Sequence, residues 1–304
     1  MIIKRLLAVL PVVFGVLLLT FLLVHLVPGD PVEVMLGESA PMADRTKLRA
    51  ELGLDQPLLT QFAHYLQALS HGDLGRSIHS HQSITEMLLT RLPATVELAL
   101  LALLIAISLG LPLGILAALK HQRWPDQAAT LLSLTLAAMP SFWLGPLLML
   151  LLAVWLGWLP VSGMNEPASI ILPALTLGFG LAAILMRMTR ASMLEILSED
   201  FVRTARAKGI SERQVVLRHA LRAALLPIVT VLGLQLGSLL AGAVITETIF
   251  GWEGVGRLLV ESIEKRDYPV TQACVLLIAL VYVLVNLATD LLYARLDPRV
   301  RFAS

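Results

Sequence analysis

The sequence predicts an all-α membrane protein with six transmembrane helices, both termini cytoplasmic, and a periplasmic helical segment after the first helix. Three observations predict it. The 304 residues are 57% hydrophobic and 15% charged, with a mean hydropathy of +0.80, whereas soluble domains are about 45–50% apolar and about 25% charged. That apolar excess is gathered into six long runs. Lys and Arg alternate across those runs: segments 1–5, 120–127, 187–222 and 294–304 hold two, two, eight and three of the 23 basic residues. The opposite loops hold the remaining eight over far more residues, which is the positive-inside pattern.

The first run, 6–27, has 22 residues without a formal charge. Lys4 and Arg5 give it a signal-like start, but the run is too long for a signal peptide and no small-residue cleavage site follows. An uncleaved anchor is expected. The second run is 98–119. The third, 128–157, is long enough to need tilting or trimming. The fourth is 170–186, the fifth 223–246, and the sixth 273–289, extendable to 293. The fourth and sixth are shorter than the roughly 20 residues that cross a bilayer core, yet within the accepted range. Pro112, Pro140 and Pro146 interrupt runs two and three and mark kinks that a membrane tolerates. Gly110-x-x-x-Gly114 and Gly233-x-x-x-Gly237 let helices approach closely, either at a seam between subunits or, as the expectation, inside the chain. Trp124, Trp155, Trp158 and Trp252 sit at run ends, where aromatic belts form. Trp143 is mid-run and expected to pack.

The domain organisation follows: 1–27 as N-terminus and anchor, 28–93 as a periplasmic cap, 94–294 as a five-helix core including a cytoplasmic loop at 187–227, and 295–304 as a cytoplasmic tail. Within 28–93, Pro28-Gly29-Asp30-Pro31 breaks the first helix. A short polar helix is expected over 43–52, a turn at Gly53 to Pro57, an amphipathic helix over 57–69, and another turn at His71 to Gly75. A 66-residue connector without a role is uncommon.

Enzyme chemistry finds no anchor. The chain lacks a G-x-x-x-x-G-K-[ST] phosphate loop, and no Gly is followed by Lys. It has no His-Glu-x-x-His pair and no Gly-x-Ser-x-Gly elbow. The single cysteine, Cys274, lies in an apolar run, so neither a disulfide framework nor a thiolate metal cluster is expected. His79-Ser80-His81, with His71 nearby, reads as an incidental pair in a solvated loop, and no metal site is expected. Intramembrane acids are few and peripheral: Glu97 and Glu247 at outer helix ends, Asp290 at an inner one. A proton-coupled carrier keeps carboxylates at the midplane. Glu97, Glu247, Gln235 and Asn286 are the candidate pathway residues, although a helix-end charge reaching the interface is the commoner use for the two acids. No nucleic-acid partner is expected.

The most informative stretch is Glu199 to Pro227. Ser198 is placed to cap a helix whose first turn carries Glu199 and Asp200 and whose last turn carries Arg206 and Lys208, as the helix dipole favours. Gly209 supplies the left-handed residue that ends it. Ser211 to Gln214 spells Ser-x-x-Gln, a capping box for a second helix. Its apolar face includes Val215, Val216 and Ala220, and Pro227 falls where it gives way to run five. An interfacial helix lying on anionic lipid is the bland alternative. A tight Gly turn between two capped helices favours a protein-docking element.

This stretch resembles the "EAA" loop of ABC-importer permeases, with a central Gly209 and a downstream Leu226-Pro227. Arg203-Thr204-Ala205 stands where the literal Glu-Ala-Ala would be. Arg203 to Gly209 and the longer Gly to Leu-Pro spacing are similar to the dipeptide/oligopeptide/nickel branch. So are Pro28-Gly29-Asp30-Pro31, Leu52 to Pro57, Gly72-Asp73-Leu74-Gly75, Thr246 to Phe250, Arg266-Asp267-Tyr268-Pro269, Asp290 to Tyr293 and Asp297-Pro298-Arg299. The resemblance covers nearly the whole chain. It implies a non-catalytic permease subunit in the bacterial inner membrane that forms a pathway for di- and oligopeptides with a second permease, usually a different chain. Two ATPase subunits would bind the ATP and Mg, a periplasmic binding protein would deliver cargo, and this chain would bind no cofactor beyond contact with membrane lipid. It further implies an ATPase-coupling surface at Arg203, Thr204, Ala205, Ala207, Lys208, Gly209, Ser211 and Arg213. The alternatives are nickel or a metal chelate as cargo, and an ATP-independent six-helix carrier or channel.

Overall fold

The computed structural model of the chain describes residues 2–26, 32, 41–51 and 54–296. The expected break at Pro28 to Pro31, the turn residue Gly53 and the tail from Asp297 lie outside them. Among the described residues the chain is all-helical, with one isolated antiparallel bridge between Arg76 and Ser83. The helices are α1 (Ile2–Leu26), α2 (Met42–Glu51), α3 (Leu58–Ser70), α4 (Ile84–Leu119), α5 (Trp124–Ala138), α6 (Ser141–Leu148), α7 (Ile171–Leu197), α8 (Asp200–Ala207), α9 (Glu212–Gln214), α10 (Leu221–Phe250), α11 (Val255–Glu264) and α12 (Tyr268–Leu296).

Among the described residues four helices are long and apolar enough to cross a membrane: Ile84–Leu119, Pro167–Leu197, Glu212–Gly237 and Tyr268–Thr289. The pair α5 and α6 makes a fifth only as a broken span, bent by 108°. The first helix contributes a shorter apolar stretch, Val9–Leu22. The third run is therefore not one tilted span. Pro140 has no amide hydrogen and pushes the residue before it out of the helical region; Met139 is extended at φ −88°, ψ 114°. A new helix starts at Ser141 and loosens into a π-helical turn over Met149–Trp155.

The chain divides into two compact units. One comprises Thr95–Trp252 with the chain from Leu284 onward; the other comprises Ile3–Ala94 with Glu253–Val283. In the first unit α7 is central: 67% of its apolar window is buried, against 28% in each of the other three long helices. Small residues allow this. A β-carbon on Gly110 would come within 2.9 Å of Leu185 Cβ, and one on Gly114 within 2.6 Å of Thr189 Cβ. Conversely, Gly178 of α7 receives Ile105 and the Ala102 carbonyl of α4. Gly233 of α10 similarly faces Thr289 of α12. Gly110, Gly114 and Gly233 thus pack within the chain.

At one end of this unit, Asp126 locks α5 to α7. It is 3% exposed and accepts from Arg190 Nε at 2.5 Å, Arg190 Nη2 at 2.9 Å and the Gln122 amide at 2.8 Å. His121 Nδ1 lies 3.2 Å from the same carboxylate.

In the second unit, Phe14 and Phe21 of α1 pack on Phe62, and Phe21 also on Tyr65, of the amphipathic helix α3. Ile84, Leu88, Val255, Leu258, Val270, Ala273 and Cys274 form the core. Asp267, 4% exposed, accepts from Ser77 Oγ at 2.5 Å and from the Ile78 amide at 3.3 Å. His79 Nε2 is 2.6 Å from the Lys265 carbonyl, a contact that occupies one ring nitrogen of the His-Ser-His pair. Trp155 and Trp158 are exposed, as belt residues should be, but Trp252 is 4% exposed and Trp143 49%. These last two reverse the sequence expectation.

Candidate functional site

The candidate site is the connection from α7 to α10. Its floor is apolar: Val202, Ala205 and Val215 are buried together, with Ile196, Leu197 and Ile210 packed against them. Val216, Ala220 and Ala224 continue that floor into the cluster of Ala118, Leu185, Met193 and Ile228. Val202 and Ala205 lie one turn apart on α8 and face the floor, leaving Arg203, Thr204 and Ala207 outward and Arg206 at the edge, its side chain 40% exposed.

The turns are built differently from what the sequence suggests. Glu199, not Ser198, stands at the N-cap of α8, with no side-chain cap bond; Ser198 Oγ instead donates back to the Glu195 carbonyl at 2.7 Å. Ser211 is the N-cap residue of α9, but its side chain makes no cap bond, so the capping box is not formed. Gly209 is left-handed at φ +76°, as expected. An ion pair spans its turn: Arg206 Nη2 and Nε donate to Glu212 Oε1 at 2.7 Å and Oε2 at 3.1 Å. The Arg206 guanidinium holds the Glu212 carboxyl below its ordinary value, chiefly through these hydrogen bonds. Sequence reading missed this clasp, because a six-residue separation across a Gly turn is not a helical pairing distance.

Past α9 the chain takes a π-helical turn over Val215–Ala220 and runs directly into α10, which contains Pro227. The second loop helix therefore does not end at Pro227. Membrane helices tolerate an internal proline when neighbours satisfy the freed backbone groups.

Of the expected coupling residues, Arg203, Thr204, Ala207, Lys208, Gly209, Ser211 and Arg213 are exposed, while Ala205 is buried in the floor. Two large apolar side chains that were not expected join the exposed face: Phe201, 44% exposed, and Leu217, 47% exposed. An isolated Phe two residues into a basic helix was the available signal.

The four pathway candidates are dispersed. Glu97 lines an open cleft of about 760 Å³ with Asn165, Glu166 and Trp252. Glu247 is fully buried and accepts from Thr95 Oγ1 at 2.7 Å. Gln235 lines a separate cavity of about 320 Å³ with Arg187, Ser141 and Thr176. Asn286 is half-buried on α12. No group of three or more His, Cys, Asp or Glu able to hold a metal occurs among the described residues.

Comparison with known proteins places this architecture. Residues 110–302 match the family model "Binding-protein-dependent transport system inner membrane component", and residues 1–99 match its N-terminal companion, "Binding-prot-dependent transport system membrane comp, N-term". The glutathione transport system permease protein GsiC of Salmonella choleraesuis (strain SC-B67) is 46% identical over 99% of this chain and 98% of its own length; that of Escherichia coli (strain K12) is 45% identical over the same shares. Among solved structures, an inward-facing MetNI methionine ABC transporter shares the fold at a TM-score of 0.59 and 19% identity, covering 69% of this chain and 96% of that one. An amino acid ABC transporter solved with histidines does so at 0.52 and 20%, over 71% and 94%. The chain belongs to the binding-protein-dependent transport system inner membrane component family, and is an ABC-importer permease subunit of the inner membrane.

Proposed function

We propose that this subunit imports di- and oligopeptides, glutathione-type peptides included, in a complex with a second permease chain, two ATPase subunits that bind ATP and Mg, and a periplasmic binding protein. The carrying observation is the loop between α7 and α10. It rests on its own apolar floor, is closed by the Arg206–Glu212 clasp, and turns Phe201, Arg203, Thr204, Ala207, Lys208, Arg213 and Leu217 outward. A seated, basic, partly apolar surface of this kind suits a protein cleft better than a lipid headgroup layer. Because the loop continues without a break into α10, force applied at α8 reaches the membrane helix. Ala205 acts from beneath, holding the face rather than touching the ATPase.

In this reading α1, α4, the broken α5–α6, α7, α10 and α12 make six crossings with both termini cytoplasmic. Residues 28–93 cap the outer mouth, and 94–294 form the core. The relatives' name for their cargo, glutathione, supports the peptide class over nickel or a chelate. The test is uptake into vesicles carrying the full complex, with and without ATP, offering glutathione, short peptides and nickel in turn. ATP-dependent peptide uptake is expected. Uptake that ignores ATP would establish the carrier alternative, and nickel uptake alone would replace the cargo.

A further inference from the structure

We propose that the cavity beside the Met139–Pro140 break is an anion-binding station, in which Arg187 provides the counter-charge for a carboxylate of the solute in transit. This rests on the peptide reading above, since every unmodified peptide carries a terminal carboxylate.

The cavity, of about 320 Å³, lies within one compact unit, walled by the α5–α6 bend, α7 and α10. Its walls are mostly aliphatic: Leu136, Leu144, Leu177, Leu181, Ile184 and Leu239. Arg187 is the one charged residue lining it, and no acid lines it. The polar remainder is Ser141, Thr176 and Gln235. Thr176 spends its hydroxyl on the Leu172 carbonyl at 2.8 Å. Arg187, Ser141 and Gln235 have no hydrogen-bond or ion-pair partner among the described residues.

The contrast along α7 is the strongest argument. Arg190, one turn on, is fixed by two bonds to Asp126. Arg187 has the same chemistry and is exposed where it lines the cavity, but it has no carboxylate. A guanidinium beside aliphatic walls attracts a carboxylate more strongly than one in bulk water, and can grip it through two parallel hydrogen bonds. Ser141 and the Gln235 amide add donors of the right kind. The helix break is what places Ser141 at this wall. In the bland alternative Arg187 reaches the water interface like any positive-inside residue, and the cavity then has no preference for anions.

The assembled complex in proteoliposomes separates the two. With Cys274→Ser as background, Ser141→Cys is labelled by an anionic sulfonatoethyl and by a cationic trimethylammonioethyl methanethiosulfonate, each rate divided by that for a free thiol. The anionic-to-cationic ratio should exceed unity, and Arg187→Ala should lower it at least fivefold. A ratio that Arg187→Ala leaves unchanged overturns the anion site. In parallel, ATP-dependent tripeptide uptake should fall about tenfold in Arg187→Ala and Arg187→Gln, and Arg187→Lys should keep at least half. Wild-type uptake in Arg187→Ala overturns the role in transit. If the unsubstituted complex takes up no peptide with ATP, the peptide reading falls, while the labelling ratio still decides whether the anion site exists.

Discussion

Two glycines show how differently one residue type can be constrained. Gly209 has nothing within 4 Å of its virtual β-carbon, but its φ is +76°. The cost of replacing it is purely conformational, about 1–2 kcal/mol for an L-residue in the left-handed region. Gly209→Val should therefore uncouple ATP hydrolysis from uptake, while Gly209→Asn, which tolerates that region, should retain most of it; equal uptake in both variants at normal expression would remove the turn from the mechanism. Gly114 is the opposite case. Its conformation is ordinary, but a β-carbon would sit 2.6 Å from Thr189 Cβ and 2.7 Å from the Met186 carbonyl. Gly114→Ala should cost about 1–3 kcal/mol by overpacking, read as a lowered unfolding midpoint in detergent, with Gly15→Ala, which meets nothing within 4 Å, as the silent control. Asp126→Ala should cost more, about 3–5 kcal/mol, because it strands the half-buried Arg190. Double replacement of Asp126 and Arg190 by Leu should recover part of that loss.

Among the elements, α8 and α9 hold each other through Arg206 and Glu212, whose side chains are 40% and 58% exposed. Such a pair contributes at most about 1 kcal/mol, and less in salt. Its value lies in fixing the turn. Since the Glu212 carboxyl is held below its unfolded value, the clasp is intact above the ordinary carboxylate range and is lost as pH falls through the lowered value. At neutral pH, Glu212→Gln should mimic that loss and speed trypsin cleavage after Lys208 severalfold; an unchanged rate would mean that the apolar floor alone holds the turn. The α5–α6 break shows what sequence can and cannot convey. Pro140 was legible as an interruption, because proline's missing donor is a local property. The 108° bend was not, because its size depends on what α7 and α10 offer the two pieces. The failed cap at Ser198 has a similar origin: sequence names a competent side chain, but the N-cap falls one residue later, at Glu199; at Ser211 the start is as expected and only the side-chain bond is missing.

For the whole molecule, hydropathy and Lys/Arg bias made the helical class and the long helices legible, since both follow from water and lipid acting on each segment separately. The basic loop could be located for the same reason. Cavity lining was less legible: Glu247 is buried against Thr95 and Arg187 lines a cavity with Gln235, because lining a cavity is a property of three helices at once. The topology proposed here makes a direct prediction. Reporter fusions within 200–214 should be active only as a cytoplasmic reporter, and fusions within 58–81 only as a periplasmic one; the reverse result at either place would invert the chain.

The bond from Ser77 to Asp267 joins residues 190 positions apart, inside a unit assembled from the beginning and the late part of the chain. During synthesis at about 5–20 residues per second, the early segment waits roughly 10–40 s before its partner leaves the ribosome. Until then the 76–83 hairpin-like loop lacks the carboxylate that accepts from Ser77 and the Ile78 amide. A chain cut short before Asp267 therefore leaves its first-made part unfinished, with Ser77 and the Ile78 amide lacking their acceptor.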